Sequence, residues 1–209
     1  MTQIIGLAAV ARSGKDTVAS MLLKHEGVTT YALADPLKIG CQILFGLTDA
    51  ETWHDNIKEE VISHWGWSPR KFFQTVGTDW LRELNSDHWL LRANLAFNQY
   101  KTNEPDKSQL DFTDPKAPFK LAAQAIFGIT QEESWNPSLL NKKIKYWDMT
   151  PNEMIEFLQD HALKEFSNYH FLRSKRPLVL PSKEIPIYGK NNIVIIKDIR
   201  FENEADFIR

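Results

Sequence analysis

The stretch Ala9-Val-Ala-Arg-Ser-Gly-Lys-Asp-Thr17 decides the fold of this chain. It follows residues 3–9, a short apolar run bounded by a turn, which predicts a buried strand of a parallel sheet. It opens into residues 14–25, where apolar side chains recur on one face of a predicted helix. A strand, a turn containing Gly14 and Lys15, and a helix form the context of a phosphate-binding loop.

The loop carries the chemistry that phosphate needs. Backbone N–H groups of the loop and of the helix N-terminus point at phosphate oxygens, and the helix dipole favours negative charge there. Gly14 allows close approach of the backbone, and Lys15 would reach the β- and γ-phosphates. Two positions depart from the usual pattern: Ala9 replaces the first glycine, and Asp16 followed by Thr17 replaces the Ser/Thr. A chance strand–turn–helix containing Gly-Lys therefore remains the alternative.

A second element lies near the end of the chain. Residues 193–196 (Ile-Val-Ile-Ile) are the strongest strand signal, and they lead to Asp198 and Arg200. In phosphoryl-transfer proteins an acid at such a strand end can hold Mg²⁺, directly or through water. An arginine there can neutralise charge on the transferring group. The alternative is an ordinary strand-end aspartate and a helix-start arginine.

The remaining pattern alternates strands and helices. Tyr31–Leu33 predicts a second strand, Pro36 marks a helix start, and Pro69 marks another after Ser68 as N-cap. Helical pattern dominates residues 49–100 and resumes after a polar, proline-rich stretch. This order predicts an α/β fold: three α/β/α layers of the P-loop type, with a short parallel sheet and a large helical insertion.

The sequence repeats itself at an offset of 82 residues. Residues 36–92 align with 118–174 without a gap, with fifteen identities. The clearest segment pairs Gln42–Trp53 with Gln124–Trp135, and Trp65 pairs with Trp147. Chance similarity between two amphipathic helical stretches is the alternative, and the shared tryptophan spacing argues against it. We therefore predict two copies of one helical unit.

The two copies differ at polar positions. The apolar skeleton is kept, whereas the following residues change: Arg70 to Asn152, Gln74 to Glu156, Gly77 to Gln159, Thr78 to Asp160 and Arg82 to Lys164. We expect only the first copy to retain a ligand site, and the second to support packing or lid shape. The paired tryptophans are best interpreted as anchors of a helical core.

Composition excludes several classes of protein. The chain has 209 residues and a net charge of −2, so it has no basic excess for general nucleic-acid binding. No apolar run approaches a membrane span, and the N-terminus lacks the features of a signal peptide. The single cysteine, Cys41, fits a reducing cytosol, and the six histidines show no spacing typical of a zinc site. We therefore expect a cytoplasmic protein without nucleic-acid or membrane partners.

Four stretches together resemble the bacteriophage deoxynucleoside monophosphate kinases, which are P-loop kinases of the adenylate-kinase-like group. Each is moderately specific, and their order and spacing make the resemblance strong. They span residues 1–92 and 192–209, and they are Arg12–Ala19, Ala34–Lys38, Pro69–Arg82 with Asp87–Trp89, and Asp198–Ala205.

The resemblance implies transfer of the γ-phosphoryl group of ATP to a deoxynucleoside monophosphate, giving ADP and the diphosphate. Mg²⁺ is the implied cofactor, and a homodimer is an assembly that the sequence allows. The ATP-binding residues it implies are Arg12, Ser13, Gly14, Lys15, Asp16 and Thr17, with Mg²⁺ held by Asp16, Thr17 and Asp198. The catalytic residues it implies are Lys15, Asp198 and Arg200. The acceptor-binding residues it implies are Lys38, Arg70, Gln74, Thr78, Arg82, Trp89 and Glu204.

The same resemblance suggests a division of the chain. Residues 1–34 with 176–209 would form the P-loop core, and 35–100 the helical acceptor-binding region. Residues 101–116 would be a linker, and 117–174 the degenerate second copy.

Two other functions stay open. One is a catalytically silent nucleotide-binding or interaction protein, suggested by Ala9, by the altered second copy and by the chain ending at Arg209, earlier than family members do. The other is a different small-molecule P-loop kinase, such as dephospho-coenzyme A kinase, which shares the short architecture. Acceptor profiling separates the two kinase readings.

Overall fold

A computed structural model describes residues 3–8, 14–98, 110–183 and 193–208. The chain divides into two compact units. The first, here called the sheet unit, comprises Met1–Asp35, Asn85–Thr102 and Ile185–Arg209. The second, the helical unit, comprises Pro36–Leu84 and Asn103–Glu184. Compared with the predicted division, residues 85–100 group with the sheet and 176–184 with the helices. Residues 101–109 of the predicted linker lie outside the described residues.

The sheet unit is built on three parallel strands. They are β1 (Gln3–Gly6), β2 (Val28–Tyr31) and β3 (Ile193–Ile196), in the order β1-β3-β2. Ile193 pairs with Gln3 on one side and with Val28 on the other, so the last strand lies in the centre. Its last three residues are fully buried, as expected for a central parallel strand. The prediction of an apolar strand at 193–196 is confirmed.

The described part of this unit contains the helices α1 (Lys15–Leu22), α6 (His88–Asn98) and α12 (Glu202–Ile208). The predicted position of the second strand is wrong, because pairing runs over Val28–Tyr31 rather than Tyr31–Leu33. The backbone N–H of Leu33 instead donates to the Asp198 side chain. The chain therefore leaves the sheet after Tyr31, and the next helix, α2, begins at Asp35. The result is the mixed α/β class that the sequence predicts.

The helical unit contains two similar sets of elements. The first set is α2 (Asp35–Phe45), α3 (Asp49–Trp53), α4 (Pro69–Gln74), a π-helical turn (Thr75–Trp80) and α5 (Leu81–Leu84). The second set is α7 (Ala117–Phe127), α8 (Gln131–Trp135), α9 (Pro137–Leu140), α10 (Pro151–Glu165) and α11 (Tyr169–Arg173). The bounds of α2 and α7, and of α3 and α8, differ by the 82 residues of the sequence repeat.

Helix starts follow the capping chemistry of the sequence. Ser68 caps α4 by accepting the Lys71 N–H, with Pro69 in the first turn, as predicted. Thr48 and Thr130 form capping boxes at equivalent positions of α3 and α8, each with a glutamate three residues on. Each capping box supplies acceptors for two N–H groups, and the Ser68 cap supplies one. The local sequence therefore fixes where these helices begin.

The repeat extends to side-chain contacts. The indole N–H of Trp65 donates to the carbonyl of Phe45, and that of Trp147 donates to the carbonyl of Phe127, both at 2.8 Å. In each case the tryptophan ring meets the phenylalanine ring edge-on, with centroids 5.4 and 5.5 Å apart. Each tryptophan thus satisfies a carbonyl at the C-terminal end of α2 or α7, where no helical partner exists.

The helices α2 and α7 approach closely at Gly40. A Cβ atom at Gly40 would lie 2.5 Å from the Ile126 side chain, so only glycine fits there without a shift. Around this crossing lies an aromatic core in which Phe45 contacts Phe72, Phe166 and Tyr169. Trp65 also packs in this core, against Phe72 and Phe166.

No helix in the described part of the chain is long and apolar enough to cross a membrane.

Candidate functional site

The predicted phosphate loop ends at Gly14, immediately before α1. Gly14 has φ 85°, in the left-handed region that glycine adopts without strain, and its carbonyl accepts the Val18 N–H at 3.0 Å. Among the described residues an added Cβ would meet no atom within 4 Å, so the need for glycine that the structure shows there is conformational. Lys15 and Thr17 occupy the first turn of α1, half-buried and exposed respectively. Gly14 therefore turns the chain between β1 and a helix N-terminus.

Other residues of that loop lie outside this description. Arg12 and Ser13 fall outside the described residues, as does Ala9. Asp16 belongs to α1, but its side chain is also outside what is described.

Asp198 lies beyond the carboxyl end of β3 and binds the backbone that follows β2. Its two carboxylate oxygens accept the N–H groups of Leu33 and Ala34 at 3.0 and 3.2 Å. Burial raises the pKa of Asp198, and these two hydrogen bonds only partly oppose that effect. Nearby Asp35 raises the Asp198 pKa further. The carboxylate thus holds the connection between β2 and α2 at the edge of the sheet where ligands of parallel α/β folds bind.

The residues after Asp198 lead into α12, whose N-terminus is capped by one of its own side chains. Glu204 is buried, and its carboxylate accepts the N–H groups of Arg200 and Phe201 at 2.7 and 3.1 Å. Phe201 precedes α12 and Glu204 is its third residue, the geometry of a glutamate that caps its own helix. The Arg200 side chain is exposed. Glu204 therefore has a structural task beside the predicted role in acceptor binding.

A buried polar group in the sheet unit was not found from the sequence. Tyr31 ends β2 at 2% exposure, and Arg92 of α6 is 4% exposed. Burial raises the pKa of Tyr31, and the positive charge of Arg92 acts in the opposite direction. Asp35 also lies within electrostatic reach of Tyr31. No local sequence pattern marks this pair, because Tyr31 and Arg92 are far apart in the chain.

Trp89 also lies in this unit, in α6. It is 6% exposed and meets the neighbouring His88 ring edge-on, with centroids 4.7 Å apart. Stacking of a base on this ring would require the helix to move.

The acceptor-side candidates Lys38 and Arg70 lie in the helical unit. The ammonium of Lys38 is 5.2 Å from the centre of the Trp53 ring. Lys183 approaches the same ring at 4.1 Å, a contribution that the sequence did not single out. Arg70 forms an exposed ion pair with Glu59.

The charges of Lys38, Arg70 and Lys58 all act on Asp55. A hydrogen bond from Lys58 at 2.9 Å lowers the Asp55 pKa, and the charges of Lys38 and Arg70 add to this. Three cationic side chains therefore lie within electrostatic reach of one carboxylate. Such a group of charges is suited to an anionic ligand such as a phosphate monoester.

The remaining candidates follow α4. Gln74 and Thr78 are exposed, and Arg82 is half-buried. Between them, Gly77 lies against Leu37, the residue that precedes Lys38, since an added Cβ would be 2.6 Å from Leu37 Cδ2. The structure thus groups Lys38 with the segment 74–82 in one unit. It places Gly14, Lys15, Asp198, Arg200 and Glu204 in the other.

The second copy treats the equivalent lysine differently. Lys120 donates to Asp114 at 2.7 Å, with only 13% and 23% of the two side chains exposed. Burial acts to raise the pKa of Asp114, but hydrogen bonds from Lys120 and from the Lys116 N–H outweigh it, so the pKa is lowered. Lys120 also lies 4.5 Å from the Trp135 ring centre. The charge of Lys120 is therefore satisfied inside the protein.

Comparison with known proteins gives one informative match. Over 82 residues this chain is 43% identical to the "Putative deoxynucleotide monophosphate kinase" of Acanthamoeba polyphaga mimivirus. The match covers 38% of this chain and 42% of that protein, so the chain spans less than half of the relative's length. No protein-family model and no solved structure matches. The match supports a likeness to deoxynucleotide monophosphate kinases, and its giant-virus source gives no support to a bacteriophage origin.

Proposed function

We propose that this protein transfers the γ-phosphoryl group of ATP to a deoxynucleoside monophosphate. The observation that carries the proposal is left-handed Gly14, which joins β1 of a parallel sheet to the helix that begins with Lys15. Proteins bind nucleotide phosphates at helix N-termini of this kind. The partial likeness to a deoxynucleotide monophosphate kinase adds the acceptor class.

On the donor side, Lys15 would contact the β- and γ-phosphates, while backbone N–H groups of the loop Arg12–Thr17 hold the others. Lys15 lies in the first turn of α1, where the helix dipole already favours the anion. Arg200 is exposed beside the carboxyl end of β3, where its guanidinium is free of burial cost. It would neutralise charge on the transferring phosphoryl group.

The oxygen donors Asp16, Thr17 and Asp198 suit Mg²⁺, which prefers hard oxygen ligands and retains several waters. Each Asp198 oxygen accepts one backbone N–H and keeps a further lone pair, so the residue fits this role directly or through a water. Bound Mg²⁺ would neutralise charge on the phosphates during transfer.

On the acceptor side, Lys38 and Arg70 would bind the monophosphate, with exposed Gln74 and Thr78 facing the nucleotide. Arg82, Trp89 and Glu204 are weaker candidates, because Arg82 is half-buried, Trp89 is in the core and Glu204 caps a helix. Catalysis would come from positioning and charge neutralisation, with no covalent intermediate on the enzyme. The acceptor oxygen attacks the γ-phosphorus, the bond to the β-phosphate oxygen breaks, and ADP leaves.

The test is ADP release by the purified chain with Mg²⁺, ATP and each of dGMP, dTMP, dCMP and dAMP. We expect turnover with at least one acceptor, and a loss of 100-fold or more in kcat/KM in Lys15→Ala, on the order of 3 kcal/mol in the transition state. The matched control is Lys24→Ala, which removes an exposed lysine after α1. A folded wild-type chain without turnover on any of the four would contradict the proposal.

A catalytically silent nucleotide-binding protein is the second candidate. It is favoured by the use of Asp198 and Glu204 as hydrogen-bond acceptors for backbone N–H groups, a structural task that needs no nucleotide. ATP binding measured by calorimetry without ADP release would select this candidate. Turnover of dephospho-coenzyme A, and of no deoxynucleotide, would select the other kinase class.

A further inference from the structure

The two copies of the helical unit differ in one backbone feature. After Pro69 the first copy has a short α-helix, a π-helical turn at Thr75–Trp80 and a further helical turn. After Pro151 the second copy runs as one continuous α-helix to Glu165. A π-helical turn is rare, occurs mostly as a single turn inside an α-helix and is frequent at functional sites. The second copy shows that this scaffold does not need the π-helical turn to fold.

The turn lies against α2 through a close approach at Gly77. An added Cβ there would be 2.6 Å from Leu37 Cδ2, so a larger residue would force the Leu37 side chain or the backbone to shift. Leu37 is buried. At the equivalent position the second copy has Gln159, a half-buried residue of the continuous helix. The close approach is thus specific to the copy that carries the acceptor-side candidates.

A second observation shows that the turn is not built for stability alone. The hydroxyl of Thr75 is buried at 2% exposure and has no hydrogen-bond partner among the described residues. An unsatisfied buried hydroxyl lowers the free energy of unfolding. In the second copy the same position is Phe157, which packs against His161 with centroids 4.2 Å apart. The first copy therefore carries two costly features that the second lacks.

We propose that the π-helical turn Thr75–Trp80, held on α2 through Gly77, is a positioning element for the acceptor monophosphate. Gly77 contacts Leu37, the residue before Lys38. Thr78 lies within the turn, and Arg82 lies two residues after its end. A π-helical turn takes more residues per turn than an α-helix, so it rotates the side chains within it and after it relative to the continuous helix of the second copy. The turn therefore sets the direction in which Thr78 and Arg82 point relative to Lys38. This inference rests on the proposed function.

The test compares acceptor and ATP kinetics in Gly77→Ala, in Leu37→Val and in the double variant. Gly77→Ala forces the turn away from Leu37, so we expect the KM for the acceptor to rise at least tenfold while the KM for ATP stays within twofold. Leu37→Val shortens the side chain that the new methyl group meets, so the double variant should recover most of the acceptor KM. Gln159→Ala, at the equivalent position of the second copy, is the matched control and should leave both KM values unchanged.

The outcomes distinguish failure of the positioning role from failure of the proposed function. A folded Gly77→Ala chain with unchanged acceptor KM overturns the positioning role while the kinase assignment stands. If Gly77→Ala does not fold, the acceptor KM is measured in the double variant of Gly77→Ala and Leu37→Val. A raised acceptor KM in that variant would show that the contact with Leu37 is not what positions the turn. A wild-type chain that turns over no acceptor overturns the proposed function, and the positioning role with it.

Discussion

Lys38 and Lys120 occupy the same position of the two copies and have different surroundings. Lys38 lies near the rings of Trp53 and Phe73, and its charge, like that of Arg70, acts on the exposed carboxylate Asp55. Lys120 is paired with Asp114 in a largely buried ion pair. A buried charge that loses its partner is strongly destabilising, whereas a lysine over an aromatic ring contributes less. One residue type at one position of the repeat is therefore paired in a largely buried site in the second copy, and in the first it is the lysine that we propose binds the acceptor.

Lys120→Met should lower the free energy of unfolding by about 2 to 4 kcal/mol, because Asp114 keeps its partly buried charge without the partner. Lys38→Met, the matched variant, should lower it by about 1 kcal/mol or less and should raise the acceptor KM. Urea unfolding and steady-state kinetics on the same samples check both effects. Equal losses of stability in the two variants would contradict the assignment.

Asp198 gives a pH-dependent prediction of unusual direction. Its pKa is raised in the folded protein by burial, above the value of about 3.9 expected in the unfolded chain. The folded state therefore binds more protons between these two pKa values, and stability from this group falls as pH rises through that window.

The free energy of unfolding of the wild type, relative to Asp198→Asn, should thus be highest below pH 4 and should decline as pH rises above it. Denaturant titrations from pH 3 to pH 7 on both chains measure the difference. A difference that grows with pH would show that hydrogen bonds from Leu33 and Ala34 outweigh the effect of burial.

At the scale of single elements, the π-helical turn is the part of the fold that the repeat isolates. The flanking α4 begins at a serine cap with proline, as α10 begins at a threonine cap with proline. The difference arises only after the first turns, where Gly77 and Thr75 replace larger residues of the second copy. Elements with similar starts therefore end in different geometry, and the one with the π-helical turn packs against α2 at Gly77.

Thr75→Val should raise the free energy of unfolding by about 1 kcal/mol, because it removes a buried hydroxyl without a described partner and keeps the side-chain shape. The thermal midpoint by circular dichroism measures this. Thr52→Val serves as the control, since that buried hydroxyl donates to the Thr48 carbonyl at 2.8 Å and its loss should destabilise. Destabilisation in both variants would mean that Thr75 is satisfied.

The paired tryptophans form the second prediction at this scale. Trp65→Phe and Trp147→Phe each remove an indole N–H that satisfies a carbonyl at a helix end. Trp65 is 4% exposed and contacts several rings, whereas Trp147 is half-buried. We expect a loss of about 2 to 4 kcal/mol for Trp65→Phe and about 1 to 2 kcal/mol for Trp147→Phe. Equal losses from urea unfolding would contradict the difference in packing.

At the scale of the whole molecule, the chain forms two compact units. The sheet unit holds Gly14 and Asp198 at the carboxyl side of its strands, and the helical unit holds Lys38 and the π-helical turn. The helical unit is tied together across the repeat. Tyr169 donates to the Leu44 carbonyl at 2.6 Å, and Arg176 forms an ion pair with Glu51.

If the proposed function is correct, the two substrates should protect different units from hydrogen exchange. ATP with Mg²⁺ at 100 times its Kd should slow exchange of amides in α1 and β3, with about 2.7 kcal/mol of added stabilisation. A deoxynucleoside monophosphate should instead slow exchange in α2 and in the π-helical turn. Mass spectrometry of peptides from each unit measures this, and ATP protection confined to the helical unit would contradict the assignment.

Much of the fold was predictable because its signals are local. The apolar strand at 193–196, the caps at Ser68 and Thr48, and the glycine before α1 depend on residues adjacent in the chain. The second strand was misplaced, since Leu33 is apolar like a strand residue but its backbone N–H donates to Asp198, far away in sequence. The candidate site was predicted as a list of residue types; Lys183 and Arg92 lacked a local signal and were missed.

The sequence by itself determined where helices begin, that a glycine-lysine turn follows the first strand, and that one helical pattern occurs twice. These features depend on backbone preferences and hydrogen bonds between near neighbours. Only the tertiary structure decided that Lys120 is paired with Asp114, that Glu204 caps its own helix in a buried setting, and that Gly77 contacts Leu37 in a π-helical turn. Charge, burial and close packing depend on residues distant in sequence, so they are set only when those residues meet.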